Sequence, residues 1–302
     1  MTRRVAVEPE CWRRPALVAA VEAAGATVAP IDEATGLIWA DPQNPQLLPE
    51  VVHDGLDWVQ LPYAGIEPFL HLLDDKREWT CGKGVYARPV AEAALAMLLA
   101  GFRHIAAYAR ETTWSGPVGQ NLHGANVLVL GSGGITEELL PLLAPFGCHV
   151  TVLRRRAEPM DGASATATLT ELDGLLPHAD AVILALALTP ETEGVIGAEQ
   201  LALMKPTAWL VNVARGGHVD TDALVTALES GSIGGAALDV TAPEPLPDEH
   251  PLWTQPNCLI TPHVANTPEM GLILLAERVT ANVERYLAHE PLIGLADLTH
   301  GY

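Results

Sequence analysis

The chain has 302 residues, 49% of them hydrophobic, and a formal net charge of −20. It is long enough for two packed cores and too acidic to draw nucleic acid or an anionic membrane through a long-range field. No stretch of about 18 residues is free of charge and turn residues, and the opening MTRRVAVEPE lacks the apolar centre of an export signal, so a cytoplasmic protein with no membrane partner is expected.

Cys11, Cys81, Cys148 and Cys258 lie far apart with no C-x-x-C pair, which argues against a metal site and a disulfide framework and for buried, reduced packing residues. In chain order, RRVAVEP, PALVAAVEAAGA, GLIWAD and DWVQLPYAG form a βαβ series that predicts a small parallel α/β domain. A helix with few β-branched residues follows from about Pro89 to Arg110, apolar on most faces, which points to burial at a domain or subunit junction. Six strand-like runs come next: ANVLVLG, HVTVLRR, ADAVILAL, AWLVNVA, GAALDV and NCLIT, separated by helix-length segments. Six parallel strands with crossover helices are the doubly wound dinucleotide-binding architecture, an α/β fold. A last helix, about Pro268 to His289, has no partner strand left in that sheet.

The segment VLVLGSGGIT (127–136) reads strand, Gly-rich turn, helix, the context that a dinucleotide fingerprint requires. Gly131 would make the tight turn. Gly133, with Ser132, Gly134 and Ile135 beside it, would bring backbone N–H groups to a pyrophosphate at the helix N-terminus. Thr136 replaces the third glycine, which serves close helix-to-strand packing, and Pro141 and Pro145 predict a short or bent helix. After the second strand stand Arg154 and Arg155, where an acid would hold a ribose 2′-hydroxyl. Guanidinium groups favour a 2′-phosphate, so NADP(H) is expected over NAD(H), with a solvated basic turn as the plain alternative.

Three later stretches, NVARGG (212–217), DVTAPEP (239–245) and TPHVANT (261–267), set out Arg215, Glu244 and His263. Reduction of a 2-keto acid needs a cation for the carboxylate, a proton donor for the carbonyl oxygen and an acid that orients the donor. Each residue has a bland alternative: a surface ion pair for Arg215, a loop carboxylate in a Pro-rich turn for Glu244, and a surface or core imidazole for His263.

The intervals of 29 and 19 residues between these three, with NVARGGHVDTDAL, GAALDVTAPEPLPDEHPLW and NCLITPHVANT around them, resemble the D-isomer-specific 2-hydroxyacid dehydrogenase family over roughly residues 55–290. The resemblance implies a dinucleotide-binding domain over 93–266 and a discontinuous, flavodoxin-like substrate domain from 1–92 and 267–302. It implies that Leu186 and Ala187 lie beside the cofactor, that Val213 and Ala214 face the nicotinamide, and that Asp239 takes its carboxamide. LPYAGIE (61–67) is similar to the family's substrate loop, in which the N–H groups of Ala64 and Gly65 would bind the carboxylate. Tyr63 there would line the pocket or simply pack.

The resemblance also implies a homodimer built on the nucleotide-binding domain. The expectation is an NADPH-dependent 2-keto acid reductase of the glyoxylate/hydroxypyruvate type. An NAD-linked phosphoglycerate-type dehydrogenase is disfavoured by Arg154 and by the chain's end at Tyr302, and a formate dehydrogenase by Glu244, where those enzymes have Gln. A non-catalytic nucleotide-sensing scaffold or corepressor fits the same three residues.

Overall fold

The computed structural model describes residues 3–297 and divides into two compact units, Met1–Tyr86 with Thr267–Tyr302, and Ala87–Asn266. Residues 1–2 and 298–302 of the expected substrate domain lie outside the described residues.

In the first unit β1 (Val5–Glu8), α1 (Arg14–Ala23), β2 (Gly36–Trp39), α2 (Leu48–Val51), β3 (Trp58–Gln60) and β4 (Glu78–Thr80) follow in order. The sheet runs β1-β2-β3-β4, parallel throughout. A single parallel bridge from Val5 to Val28 adds a rudimentary strand outside β1, and counting it gives the flavodoxin-like order 2-1-3-4-5. The strands are apolar on both faces, as a covered parallel sheet requires. Val5, Val7, Ile38 and Trp58 join one core, and Ala6, Leu37, Trp39 and Val59 the other. The short β4 is one strand more than the sequence pattern shows.

The second unit holds α3 (Ala87–Phe102), α4 (Ile105–Tyr108), β5 (Asn126–Leu130), α5 (Gly134–Leu143), β6 (His149–Leu153), β7 (Ala165–Ala167) and α6 (Leu172–Leu175). It continues through β8 (Ala181–Leu184), α7 (Ala198–Leu203), β9 (Trp209–Asn212), α8 (Thr221–Ser230), β10 (Gly235–Leu238) and β11 (Cys258–Ile260). Its parallel sheet has the order β11-β10-β9-β8-β5-β6-β7. The chain starts at β5, winds outward through β6 and β7, then returns to β8 and winds the other way, which is the doubly wound topology. The sheet has seven strands, not six; the extra one, β7, is a three-residue edge strand.

The helix expected over Pro89 to Arg110 is corrected: α3 starts at Ala87, so the expected domain break after residue 92 falls inside it, and ends at Phe102, because His104 takes a left-handed φ of 49°. Its buried residues Ala91, Ala94, Leu98 and Phe102 pack with Val127, Leu139 and Trp209, so its apolar surface is covered largely inside its own unit. At Gly101 a Cβ would lie 2.3 Å from the Trp209 ring. α5 carries Pro141 inside and passes at Leu143 into a 3-10 turn, Ala144–Phe146.

After β11 the chain returns to the first unit as α9 (Pro268–Ala288), whose N-terminus is capped by the Thr267 hydroxyl accepting from Met270 N. Leu275, Val279, Val283 and Tyr286 of α9 pack with Val5, Leu17, Val21 and Trp58. All four cysteines are free; Cys81 and Cys258 are buried, whereas Cys11 and Cys148 are only half-buried. Among the described residues no helix is long and apolar enough to cross a membrane.

Candidate active site

The sheet of the second unit changes winding direction between β5 and β8, and ligands of open α/β sheets bind beyond the carboxyl ends of the strands at such a point. There Gly131 has a φ of 110°, donates to Leu153 O at 2.8 Å, and would place a Cβ 2.3 Å from Ala185 O. No side chain fits that position. Gly133 is the N-cap of α5 with no side-chain cap, and a Cβ on it would meet nothing within 4 Å. The first-turn amides of α5, with half-buried Gly134 and Ile135, therefore suit a diphosphate, and half-buried Ser132 lies in the same turn.

Thr136 is fully buried, and its hydroxyl donates to Gly131 O at 2.8 Å. The residue in place of the third glycine thus ties the turn to the helix. Arg154, at the end of β6, uses Nη1 on Glu158 O at 3.0 Å and Pro159 O at 3.5 Å. Its Nε and Nη2 have no partner among the described residues, an edge that can offer two parallel N–H groups to a phosphate. Arg155 next to it is exposed.

The turn after β9 is built on two buried side chains that the sequence reading did not single out. Asn212 Oδ1 accepts from Ala214 N at 3.0 Å, and its Nδ2 donates to Arg215 O at 2.8 Å. His218 places Nδ1 2.9 Å from Arg215 O and Nε2 3.2 Å from Ala187 O. Burial holds the His218 pKa below the usual histidine value, against the pull of those two carbonyls. A neutral imidazole carries one N–H, so it donates to only one of them.

Arg215 is half-buried, with Nη1 donating to Ala214 O at 2.8 Å. At Gly216 a Cβ would lie 1.9 Å from Thr241 O. That absence of a side chain lets the Arg215 turn lie flush against the turn after β10, which carries Glu244. The RGG pattern, a glycine directly after a functional arginine, was the available signal for this approach.

Glu244 and His263 are brought together: Glu244 Oε1 lies 2.6 Å from His263 Nδ1, with the two side chains 41% and 51% exposed. A carboxylate that accepts from Nδ1–H leaves Nε2 as the ring atom that exchanges a proton with a ligand. His263 has a left-handed φ of 54°, a conformation that costs a non-glycine residue energy unless the surroundings hold it.

Asp239 holds it. Its carbonyl accepts from His263 N at 2.8 Å. Its buried carboxylate accepts from Thr261 Oγ1 at 2.6 Å, Val264 N at 2.9 Å and Ala265 N at 3.0 Å.

The remaining residues are placed less centrally. Leu186 is half-buried and Ala187 exposed beyond β8, with Ala187 O also accepting from Thr192 Oγ1 at 2.8 Å. Val213 and Ala214 are buried in the two cores, which leaves mainly their backbone for contact with a ligand. Tyr63, Ala64 and Gly65 belong to the first unit, in the loop after β3, where Tyr63 and Ala64 are exposed. That loop is fastened by Gly82 N donating to Tyr63 O at 2.8 Å and by the Tyr86 hydroxyl on Pro62 O.

Residues 93–265 match the family model "D-isomer specific 2-hydroxyacid dehydrogenase, NAD binding domain". An uncharacterised protein of Corynebacterium melassecola is 39% identical over 82% of this chain and 84% of its own length. Glyoxylate/hydroxypyruvate reductase A of Serratia proteamaculans is 31% identical over 72% of this chain and 69% of its own. D-3-phosphoglycerate dehydrogenases align as well. The crystal structure of a D-isomer specific 2-hydroxyacid dehydrogenase from Xanthobacter autotrophicus, in complex with NADPH and MES, superposes with a TM-score of 0.85 at 28% identity, covering 100% of both chains.

Proposed function

The chain belongs to the D-isomer specific 2-hydroxyacid dehydrogenase family, and from that premise we propose that it reduces small 2-keto acids of the glyoxylate/hydroxypyruvate type to 2-hydroxy acids with NADPH. The observation that carries the reading is the 2.6 Å bond between Glu244 and His263, which fixes the imidazole with Nε2 available for proton transfer. When bound, the nicotinamide supplies the hydride. His263 would give the substrate's carbonyl oxygen the proton held on Nε2 as negative charge develops there. Glu244 keeps Nδ1 protonated and the ring in place. Arg215 offers its planar fork to the substrate carboxylate and carbonyl oxygen, and the amides of Ala64 and Gly65 bind the carboxylate. The amides of Gly134 and Ile135 at the start of α5 hold the diphosphate, and Asp239 has acceptor capacity left for the carboxamide.

NADPH is favoured over NADH by Nε and Nη2 of Arg154, which have no partner among the described residues, with Arg155 adjacent, and the NADPH complex of the Xanthobacter relative supports the same choice. A homodimer is part of the proposal. Its support is Ile105, Trp114 and Val118 of the second unit, 55%, 102% and 60% exposed, an apolar segment that a second copy would cover.

The test is oxidation of NADPH and of NADH with a panel of 2-keto acids, including 3-phosphohydroxypyruvate, by the natural chain and by His263→Ala. Turnover with NADPH, lost by a hundredfold or more in the variant, is expected. A tenfold preference for NADH, or best turnover of the phosphorylated acid, would favour the phosphoglycerate-type reading. No turnover with any acid would leave a nucleotide-binding scaffold.

A further inference from the structure

The first unit contains a cation that the chemistry described so far does not use. Arg13 lies in the loop after β1, just before α1, and is 5% exposed. In a chain with 37 acidic residues, the described partners of its guanidinium are aromatic. Nη2 donates to the Tyr63 hydroxyl at 3.1 Å, and the guanidinium carbon lies 5.3 Å from the centre of the Trp12 ring and 5.2 Å from that of Tyr63. Its Nε is buried with no hydrogen-bond partner among the described residues. A buried charge without a counter-charge is costly, and ring faces offset only part of that cost. Such an arrangement calls for a further reason at this position.

Tyr63 supplies one. Its hydroxyl oxygen accepts from Arg13, while its own O–H has no acceptor among the described residues, and the residue is 38% exposed. A hydroxyl that accepts from a cation is a stronger donor in the other direction, because hydrogen bonds in a chain polarise one another. The loop is held rigidly for this purpose. The Tyr86 hydroxyl binds Pro62 O, burial pushes the Tyr86 phenol far above its usual range and so keeps it a neutral donor, and a Cβ on Gly82 would sit 3.0 Å from the Tyr63 carbonyl carbon. Tyr63 also directly precedes Ala64 and Gly65, the proposed carboxylate-binding amides.

We propose that Arg13, acting through Tyr63, selects 2-keto acids that carry an acceptor group on C3, whether a hydroxyl or a second carboxylate, over those with a bare methyl or alkyl group. This rests on the reductase reading above. Tyr63 donates to an oxygen of that C3 group, and Arg13 is the positioning residue that polarises and orients the phenol. An acceptor-free substrate leaves that O–H unpaired, and a site with an unmatched polar group discriminates more sharply than an apolar one.

The experiment is kcat/KM for hydroxypyruvate, oxaloacetate and pyruvate with NADPH in the natural chain, Tyr63→Phe, Arg13→Gln and Arg13→Lys. The ratio of hydroxypyruvate to pyruvate should exceed tenfold, and it should fall at least tenfold in Tyr63→Phe and Arg13→Gln, with partial recovery in Arg13→Lys. A gain for oxaloacetate above that for hydroxypyruvate assigns the pair to a carboxylate, and the reverse to a hydroxyl. Because Tyr63→Phe removes one oxygen only, it decides the matter if the Arg13 variants fold poorly.

An unchanged ratio in Tyr63→Phe overturns the proposal and leaves the reductase reading intact. If no acid is reduced, that reading fails on its own. Recognition is then measured as the rise in melting temperature given by D-glycerate and by D-malate against D-lactate in the presence of NADP+. A larger rise with either of the first two that Tyr63→Phe abolishes sustains the pair, and equal rises with all three overturn it.

Discussion

Replacing Asp239 by Asn changes one atom and tests whether its carboxylate holds the His263 turn. Two of its three donors, Val264 N at 2.9 Å and Ala265 N at 3.0 Å, are fixed backbone groups on different carboxylate oxygens. The third, Thr261 Oγ1 at 2.6 Å, can rotate. An amide meets a fixed N–H with its own NH2 in either orientation: Ala265 N if the oxygen stays at Oδ1, Val264 N if it is flipped. One charge-assisted bond is therefore lost and one N–H left facing a donor, and the surviving bonds lose their charge. The sum is about 2–4 kcal/mol of stability, equivalent to a fall of roughly 5–15 °C in Tm for a unit of this size. The left-handed His263 turn is then held less firmly, and a misplacement on the order of 1 Å costs up to about a hundredfold in turnover. Thermal unfolding and steady-state kinetics on the same preparations are the assay. A variant with unchanged Tm and kcat would refute the role given to Asp239, whatever its effect on NADPH affinity.

Gly216→Ala should act on the neighbouring turn. Its methyl carbon would start 1.9 Å from Thr241 O and 2.0 Å from the Thr241 carbonyl carbon, both backbone atoms, so the turn carrying Glu244 must move by about 1 Å, at a cost of about 1–3 kcal/mol. Turnover should fall at least tenfold; normal kinetics would mean the two turns are not coupled. Thr136→Val should lose about 1 kcal/mol in chemical denaturation with its bond to Gly131 O, and Thr136→Gly should lose more. A glycine variant more stable than the natural chain would show that Thr136 is merely tolerated. His218, whose folded-state value lies below the ordinary 6.5, binds a proton more readily when unfolded. Its contribution to stability is complete above 6.5 and is lost as pH falls through the folded value. Tm should therefore decline more steeply on acidification below 6.5 in the natural chain than in His218→Gln, and parallel declines would contradict that account.

The parts of the site that were legible in the sequence are those that local rules fix. Arg215, Glu244 and His263 all lie in turns after strands, β9, β10 and β11 in that order, so the intervals between them reflect the lengths of the βα units and survive as a countable pattern. The Gly131 turn is legible because a left-handed residue pressed against Ala185 O admits only glycine, and a short α5 because proline cannot donate. What escaped are consequences of convergence from distant positions. An aspartate at the end of β10 shows nothing of the three donors that meet it from residues 261–265. The asparagine opening NVARGG gives no sign that its two amide ends span the Arg215 turn. Strands of three residues, β4 and β7, are too short to show alternation, and the stop of α3 at a left-handed His104 has no compositional mark. Arg13 is the clearest case. A charged residue just before a helix reads as a solvated cap, and only the folded chain shows it 5% exposed, with its guanidinium close to two aromatic rings and bonded to Tyr63 in the loop after β3. A contact such as that of Arg13 with Tyr63 is least readable from sequence because it is joined across 50 residues by tertiary structure alone.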